Sequence, residues 1–285
     1  MAKPSIAIVG AGALARALGP ALRRARYAVR EVIVRDLADS RRRGRKLARA
    51  LGARLSTLGT TKLDTDILWI CVTDDAIAAT ARSFARGWNG KIALHSSGAL
   101  TSDTLAPLRR EGVQVASLHP MMTFVARSSP SLSGISFAVE GDPRAVRAAS
   151  RIARDLGGSV FPISKAGKTL YHAMGSFSSP LLVATLAMAE RIGEAAGLPR
   201  RAVPRILQPI LRQTLENYFG GGAAQAFSGP IKRGDLDTIR RHLRGLKKVS
   251  GAREAYIALA RSAIATLPVR NRPSVRKLLK KQKAR

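Results

Sequence analysis

The chain has 285 residues, 46% of them hydrophobic, with 49 Lys and Arg against 18 Asp and Glu for a formal net charge of +31. This is the composition of a packed globular protein with room for two domains, and it excludes a disordered or fibrous chain. Apolar runs are too short for a transmembrane helix, and the single cysteine, Cys71, excludes an internal disulfide. The opening M-A-K-P-S-I leads straight into a strand pattern and leaves no room for a signal peptide, so the expected location is the cytoplasm. A basic surplus suits nucleic acid, an anionic membrane or an acidic substrate. Here the basic residues are spread along the whole chain and aromatics are only 5%. That is poor material for stacking on bases. The expectation is a solvated basic surface, with no specific nucleic-acid partner and no membrane partner.

The most informative stretch comes first, S-I-A-I-V-G-A-G-A-L-A at residues 5–15. Ile6 to Val9 read as a buried parallel strand and Ala13 to Arg24 as an amphipathic helix. Gly10, Ala11 and Gly12 turn the chain between them, and Ala15 completes the G-x-G-x-x-A form of the dinucleotide fingerprint. Gly10 permits the tight turn, Gly12 lets a diphosphate approach the backbone, and Ala13 and Leu14 begin the helix whose positive end faces it.

Glu31 to Arg35 is the second strand. Its end selects the coenzyme in this kind of unit: an acid favours ribose hydroxyls, an arginine a 2′-phosphate. Arg35 and Asp36 stand there together, followed by Ser40 and the run Arg41 to Arg43, which begins a helix to about Leu51. Asp36 binds ribose or caps that helix. The guanidinium cluster tips the expectation to NADP over NAD. Asp66 to Val72 is a third strand, closed by Thr73 and followed by a helix over Ala76 to Phe84. Val72 and Thr73 are therefore expected at the coenzyme crevice.

Two further strands deliver His and small hydroxyls at their carboxyl ends. Lys91 to His95 runs into Ser96, Ser97 and Gly98; Gln114 to Leu118 runs into His119, Met121 and Thr123. Ligands bind at such ends in open parallel sheets. Ile135 to Val139 and Ser159 to Pro162 close the sheet, with Arg144 to Leu156 as the helix between them. From Ala166 onward helical periodicity dominates. Lys168, His172, Gly175, Ser176 and Ser179 form a polar stripe expected to face solvent or a cleft, and Pro180 is expected to break or kink that helix. Ala202 to Tyr218 and Asp235 to Leu246 are helices, with Gly220 to Gly222 as a loop and Asp235 or Asp237 as a cap. Lys232 and Arg233 read equally as solvated surface or as contacts to an anionic ligand. Glu254 to Leu267 is the last expected helix, and the end reads as a frayed basic tail. No metal-ligand spacing is present.

H-S-S-G-A-L at 95–100, S-L-H-P-M-M-T-F at 117–124, K-T-L-Y-H-A at 168–173 and G-P-I-K-R-G-D at 229–235 follow the fingerprint in that order. Over residues 4–265 this resembles a bacterial family of Rossmann-like proteins with a C-terminal domain of unknown function, often labelled NADP oxidoreductases of the deazaflavin-dependent type. More distantly it is similar to the superfamily of 6-phosphogluconate dehydrogenase, ketopantoate reductase and pyrroline-carboxylate reductase. The resemblance implies an α/β fold: a doubly wound, mostly parallel sheet over 1–163, an all-helical substrate and dimerisation domain over 164–270, and a basic tail over 271–285. It implies that Lys168 is a general acid/base and that the Ser-Gly loop holds substrate; His172 stands where the dehydrogenases carry Asn.

The expected function is an NADP-dependent oxidoreductase acting on a small, carboxylate-bearing substrate between two domains of a homodimer. Lys168, His172, Ser97 and His95 are the candidate catalytic residues. Gly10, Ala11, Gly12, Ala13, Leu14, Arg35, Asp36, Val72, Thr73 and Ser96 are expected at the coenzyme, and Gly98, His119, Met121, Thr123 and Ser176 at the substrate. The alternatives are an NADP-binding sensor without turnover and a nucleic-acid-binding protein.

Overall fold

The computed structural model describes residues 3–61, 63–85, 88, 91–125, 128 and 130–280. Two compact units are present, Met1–Ser179 and Pro180–Arg285.

The first unit is built on one sheet. Its strands are β1 (Ile6–Val9), β2 (Val29–Val34), β3 (Arg54–Thr57), β4 (Ile67–Ile70), β5 (Ile92–His95), β6 (Gln114–Pro120), β7 (Ser136–Gly141) and β8 (Ser159–Pro162). They lie side by side in the order β3-β2-β1-β4-β5-β6-β7-β8. Every pairing is parallel except β6 with β7. The helices are α1 (Ala13–Arg24), α2 (Ala38–Leu51), α3 (Asp74–Phe84), α4 (Ala106–Arg110), α5 (Pro143–Asp155) and α6 (Lys168–Ser178).

Alternation along the strands decides which helices cover which face. Ile6, Ile8, Ile67 and Trp69 pack in one core with Leu18 and Leu22 of α1, Leu47 of α2 and Ile152 of α5. Ala7, Val9, Leu68 and Ile70 pack in the other with Ile77 and Phe84 of α3 and Leu108 of α4. Both faces are covered, which is why the central strands read as unbroken apolar runs. From β1 the chain winds outward to β2 and β3, then returns to β4 on the other side. The strand order therefore reverses between β1 and β4, and a crevice opens at their carboxyl ends.

Strand β3 was invisible in the sequence. Its R-L-S-T carries one large apolar residue, because an edge strand has half the burial of a central one. Asp36 does not cap α2: the cap is Leu37, without a side-chain bond, and Asp36 pairs with Arg41. Pro180 breaks the helix rather than kinking it. It opens a new one, the position where proline's missing N–H costs nothing. The contact boundary between units falls there, beyond the expected break at Ile163, because α6 buries Lys168 and Tyr171 in the first unit.

The second unit holds α7 (Pro180–Ala195), α8 (Val203–Ala226), α9 (Gly229–Arg233), α10 (Leu236–Gly245), α11 (Ala252–Thr266) and α12 (Arg272–Lys280). Gly220 to Gly222, expected as a loop, lie inside α8; only Gly222 leaves helical geometry (φ 74°, ψ 173°) and kinks it. Asp235 caps α10 by accepting the Thr238 N–H at 3.0 Å. The expected frayed tail is a helix over Arg272–Lys280. Val275 and Leu279, one turn apart, are buried with Ile239, Ile257 and Ile264. Its many lysines and arginines hid a two-residue apolar seam. Residues 281–285 of that tail lie outside the described residues.

Candidate active site

The cleft sits at the carboxyl ends of β1, β2 and β4 and has a volume of about 640 Å³. That is the size of a typical ligand pocket. Its floor is the β1–α1 turn. Gly10 has φ +105°, and a Cβ there would stand 2.4 Å from the Cys71 carbonyl oxygen. Only glycine fits. Gly12 differs: a Cβ on it would meet nothing within 4 Å and would point into open space. The first helical bond of α1 runs from the Arg16 N–H to the Gly12 carbonyl. The N–H groups of Ala13, Leu14 and Ala15 thus have no partner in the helix, and no side chain caps them. A glycine-floored cradle with unpaired N–H donors fits a diphosphate.

Gly10 to Leu14, Arg35, Val72, Thr73 and Ser96 all line this cleft. Asp36 does not. It is exposed, and its carboxylate is held by Arg41, which lowers its pKa. Around the end of β2 the lining is Arg35, Ser40 and Arg43. Arg43 is paired at 2.7 Å with Asp39, which is outside the lining, so the residues facing the cleft here are guanidinium and hydroxyl donors.

The other end of the cleft reaches Ser96 and Ser97. Trp69 fixes Ser96 by donating its indole N–H to the hydroxyl at 2.8 Å. Ser97 donates to Asp74 Oδ2 at 2.8 Å and accepts from the N–H groups of Ala99 and Leu100. Gly98 comes next. A Cβ there would stand 2.7 Å from His172 and 2.8 Å from Nε2 of His119. Its bare backbone lets the two imidazoles converge, with ring centroids 6.3 Å apart. His119 Nδ1 lies 2.7 Å from the Tyr171 hydroxyl. Burial, with Lys168 nearby, lowers the His119 pKa to about 4, so the ring is neutral near pH 7.

Two residues expected to handle protons lie elsewhere than their sequence positions suggested. His95 is fully buried. Its Nδ1 accepts the Ser97 N–H at 3.1 Å and its Nε2 donates to the Thr101 carbonyl at 3.1 Å. Both nitrogens are engaged with backbone, and neither faces the cleft. Lys168 does not join an exposed stripe; it is 2% exposed. Its ammonium donates to the Ser97 carbonyl at 3.0 Å and to Ser117 Oγ, and lies 3.6 Å from Glu140. The stripe breaks up accordingly. His172 is exposed, Gly175 approaches Met121, Ser176 bonds the carbonyl of its own helix at His172, and Ser179 lies beyond the helix end. Thr123 is exposed and makes no hydrogen bond among the described residues.

Tyr171, Glu140, Ser117 and Asp74 were missed. Glu140 had a signal: a carboxylate following the apolar run F-A-V must find a buried partner. Tyr171 had none, because an aromatic residue on a helix reads as core.

A doubly wound sheet with this glycine turn at its reversal point defines a dinucleotide-binding class of fold. Residues 1–120 match the Rossmann-like domain, and residues 135–263 match a domain of unknown function, DUF2520. No curated protein sequence matches the chain. Among solved structures it is similar to a candidate NADP oxidoreductase of Bacteroides fragilis, at 22% identity and TM-score 0.75 over 91% of this chain and 97% of that one. It is similar to an imine reductase of Myxococcus stipitatus in complex with NADP+, at 17% identity and TM-score 0.70 over 97% and 100%. It is also similar to a reductive aminase of Aspergillus terreus in complex with NADPH, at 17% identity and TM-score 0.65 over 99% and 100%. These likenesses establish the fold.

Proposed function

We propose that the protein is an NADP-dependent oxidoreductase acting on a small carbonyl or imine compound. The observation that carries this reading is the cleft itself, with the bare Gly12 and unpaired helix N–H groups at its floor and Ser96 and Ser97 at its far end. Three solved structures of the same fold are described as NADP oxidoreductases or contain NADP+ or NADPH, which supports the choice of coenzyme. So does the rim. Arg35, Ser40 and Arg43 suit a 2′-phosphate, while Asp36 is turned to Arg41.

The coenzyme supplies the hydride; the chain binds, orients and moves a proton. The backbone of residues 10–14 holds the diphosphate. Ser96, fixed by Trp69, and Ser97, fixed by Asp74, set the far wall. His172 is the proton donor, because it is the exposed imidazole against Gly98. The proton is assigned to His172 rather than to Lys168, whose ammonium is buried on three partners. His119, neutral and bonded to Tyr171, offers a hydrogen bond to an uncharged group without adding charge. Lys168 is paired with Glu140, so its ammonium is not held free for a substrate carboxylate.

The test is direct. NADPH binds more tightly than NADH, and NADPH is oxidised with at least one member of a panel of ketones, imines and keto acids, with His172→Ala lowering the rate by about 100-fold. Tight NADPH binding with no turnover across the panel assigns the protein to the sensor class instead. A preference for NADH refutes the role of Arg35, Ser40 and Arg43. We further propose a cytoplasmic homodimer assembled through α7 and α8. Helix α7 buries none of its residues, and α8 exposes Ile206, Ile210, Leu215 and Phe219, the last at 80%.

A further inference from the structure

The proposed reaction makes no use of Glu140, yet this carboxylate is 6% exposed and sits beside an equally buried lysine. Its surroundings are complete. Glu140 Oε1 accepts the Ser102 N–H and Oε2 accepts the Ser102 hydroxyl, both at 2.7 Å. Lys168 Nζ lies 3.6 Å from Oε1 and donates to the carbonyl of Ser97 and the hydroxyl of Ser117. Ser117 in turn donates to the same Ser97 carbonyl at 3.2 Å. Register explains the meeting. His95, Ser117 and Glu140 are lateral neighbours on β5, β6 and β7, so all three reach the same side of the sheet. Lys168, the first residue of α6, closes over them.

Four bonds of this cluster end on the loop of residues 96–102: two from Ser102 to Glu140, and one each from Lys168 and Ser117 to the Ser97 carbonyl. Lys168 holds its start at Ser97, and Glu140 holds its end at Ser102. That loop carries Ser96 and Ser97 into the cleft and Gly98 against His172. We propose that Glu140 and Lys168 are positioning residues: a buried charged strut that locks the loop of residues 96–102 to the head of α6, the helix bearing His172. The charge matters because an ammonium presents three donors, matching a carbonyl, a hydroxyl and a carboxylate, whereas a neutral amine presents only two. A lone ammonium in this place is costly, and Glu140 is its countercharge. Such pairs serve geometry better than stability, since apolar replacements of equal volume are often no less stable. The step from this loop to a coenzyme rests on the functional reading above; the strut does not.

Lys168 is faced by Glu140 on β7, Asp74 on α3, His95 on β5 and His119 on β6. Both imidazoles are neutral near pH 7, so Glu140 is the close countercharge. Burial pulls the Lys168 pKa down and Glu140 pulls it back up. Glu140→Gln keeps acceptor and donor groups beside Ser102 but removes the charge, so the ammonium loses its proton as pH rises.

Amide hydrogen exchange on the full chain without ligand tests this from about pH 6 to about pH 9, after correction for intrinsic rates. In the wild type, protection of Ala99, Leu100 and Ser102 is flat with pH. In Glu140→Gln it falls by about tenfold across the range, while β1 amides keep theirs. A merely structural loss lowers protection throughout, β1 included, with no added pH dependence, and that result overturns the proposal. Wild-type protection of the loop in the variant overturns it as well. Should Glu140→Gln fail to fold, the double variant Glu140→Gln/Lys168→Met leaves no unpaired buried charge; a loop still protected as in the wild type then overturns the proposal, and an exposed loop on an intact β1 supports it. NADPH titration, read by tryptophan fluorescence, is the separate arm. Loss of loop protection in a protein whose wild type never binds NADPH defeats the coenzyme reading and upholds the strut.

Discussion

Two glycines of one turn do different work, and substitution separates them. Gly10→Ala forces a methyl group against the Cys71 carbonyl at a φ of +105°, so the fold itself suffers, by roughly 1–3 kcal/mol or more. Gly12→Ala has room for its methyl group and an ordinary φ of −74°. Stability should stay within about 0.5 kcal/mol of the wild type. NADPH affinity should fall by about tenfold or more, because the methyl group occupies the space proposed for the diphosphate. Chemical denaturation and NADPH titration of the two variants give the comparison. Equal NADPH binding by Gly12→Ala removes the diphosphate from that spot.

Also at the residue scale, His95 makes the fold acid-sensitive. Burial, reinforced by Lys168, lowers its folded pKa from 6.5 to about 3. Below pH 6.5 the unfolded chain takes up a proton that the native ring refuses until about pH 3. Stability therefore rises with pH through this window and is lost on acidification, at up to about 1.4 kcal/mol per pH unit. His119, lowered to about 4, adds to the slope over the upper part. Urea unfolding at several pH values between these limits should show a slope steeper than one proton. His95→Gln should make it shallower; an unchanged slope would mean that the ring is already protonated in the native state.

Among the elements, α12 shows how composition misleads. Four of its nine residues are basic and one is proline, the profile of a solvated tail. Yet Val275 and Leu279 are 0% and 1% exposed. Leu279→Ala should destabilise the second unit by about 2–5 kcal/mol, measured as a shift in its denaturation midpoint. A loss under about 0.5 kcal/mol would return the segment to the role of tail. The strands show the opposite case. β1, β4, β5 and β6 are apolar runs at the centre of a sheet covered on both faces, so periodicity and turn residues located them. β3 is an edge strand with polar residues, and pairing with β2 alone makes it a strand.

For the whole molecule, the apolar exposure of α7 and α8 leads to the expectation of a dimer at micromolar concentration. Light scattering should give twice the chain mass, and Phe219→Asp should shift it to the monomer. A monomeric wild type refutes the assembly. The net charge of +31 opposes close approach of two copies, so the dimer should tighten as salt screens that repulsion.

The fold class and the floor of the cleft were legible in the chain because both depend on local signals: apolar runs, helical spacing, and a glycine pair in the turn between strand and helix. Gly10 to Leu14, Arg35, Val72, Thr73 and Ser96, which line the cleft, each follow the strand end that presents them. Tertiary structure alone decided the fate of His95, Asp36 and Lys168. Whether a polar side chain faces a ligand or the core depends on what strand register and helix docking set beside it. Lys168 reads in the chain as an acid/base on a polar stripe; only the pairing of β6 with β7 places Ser117 and Glu140 around its ammonium. Charge and spacing are written along the chain; the partner that satisfies a buried charge comes from residues far away in sequence and close only in space.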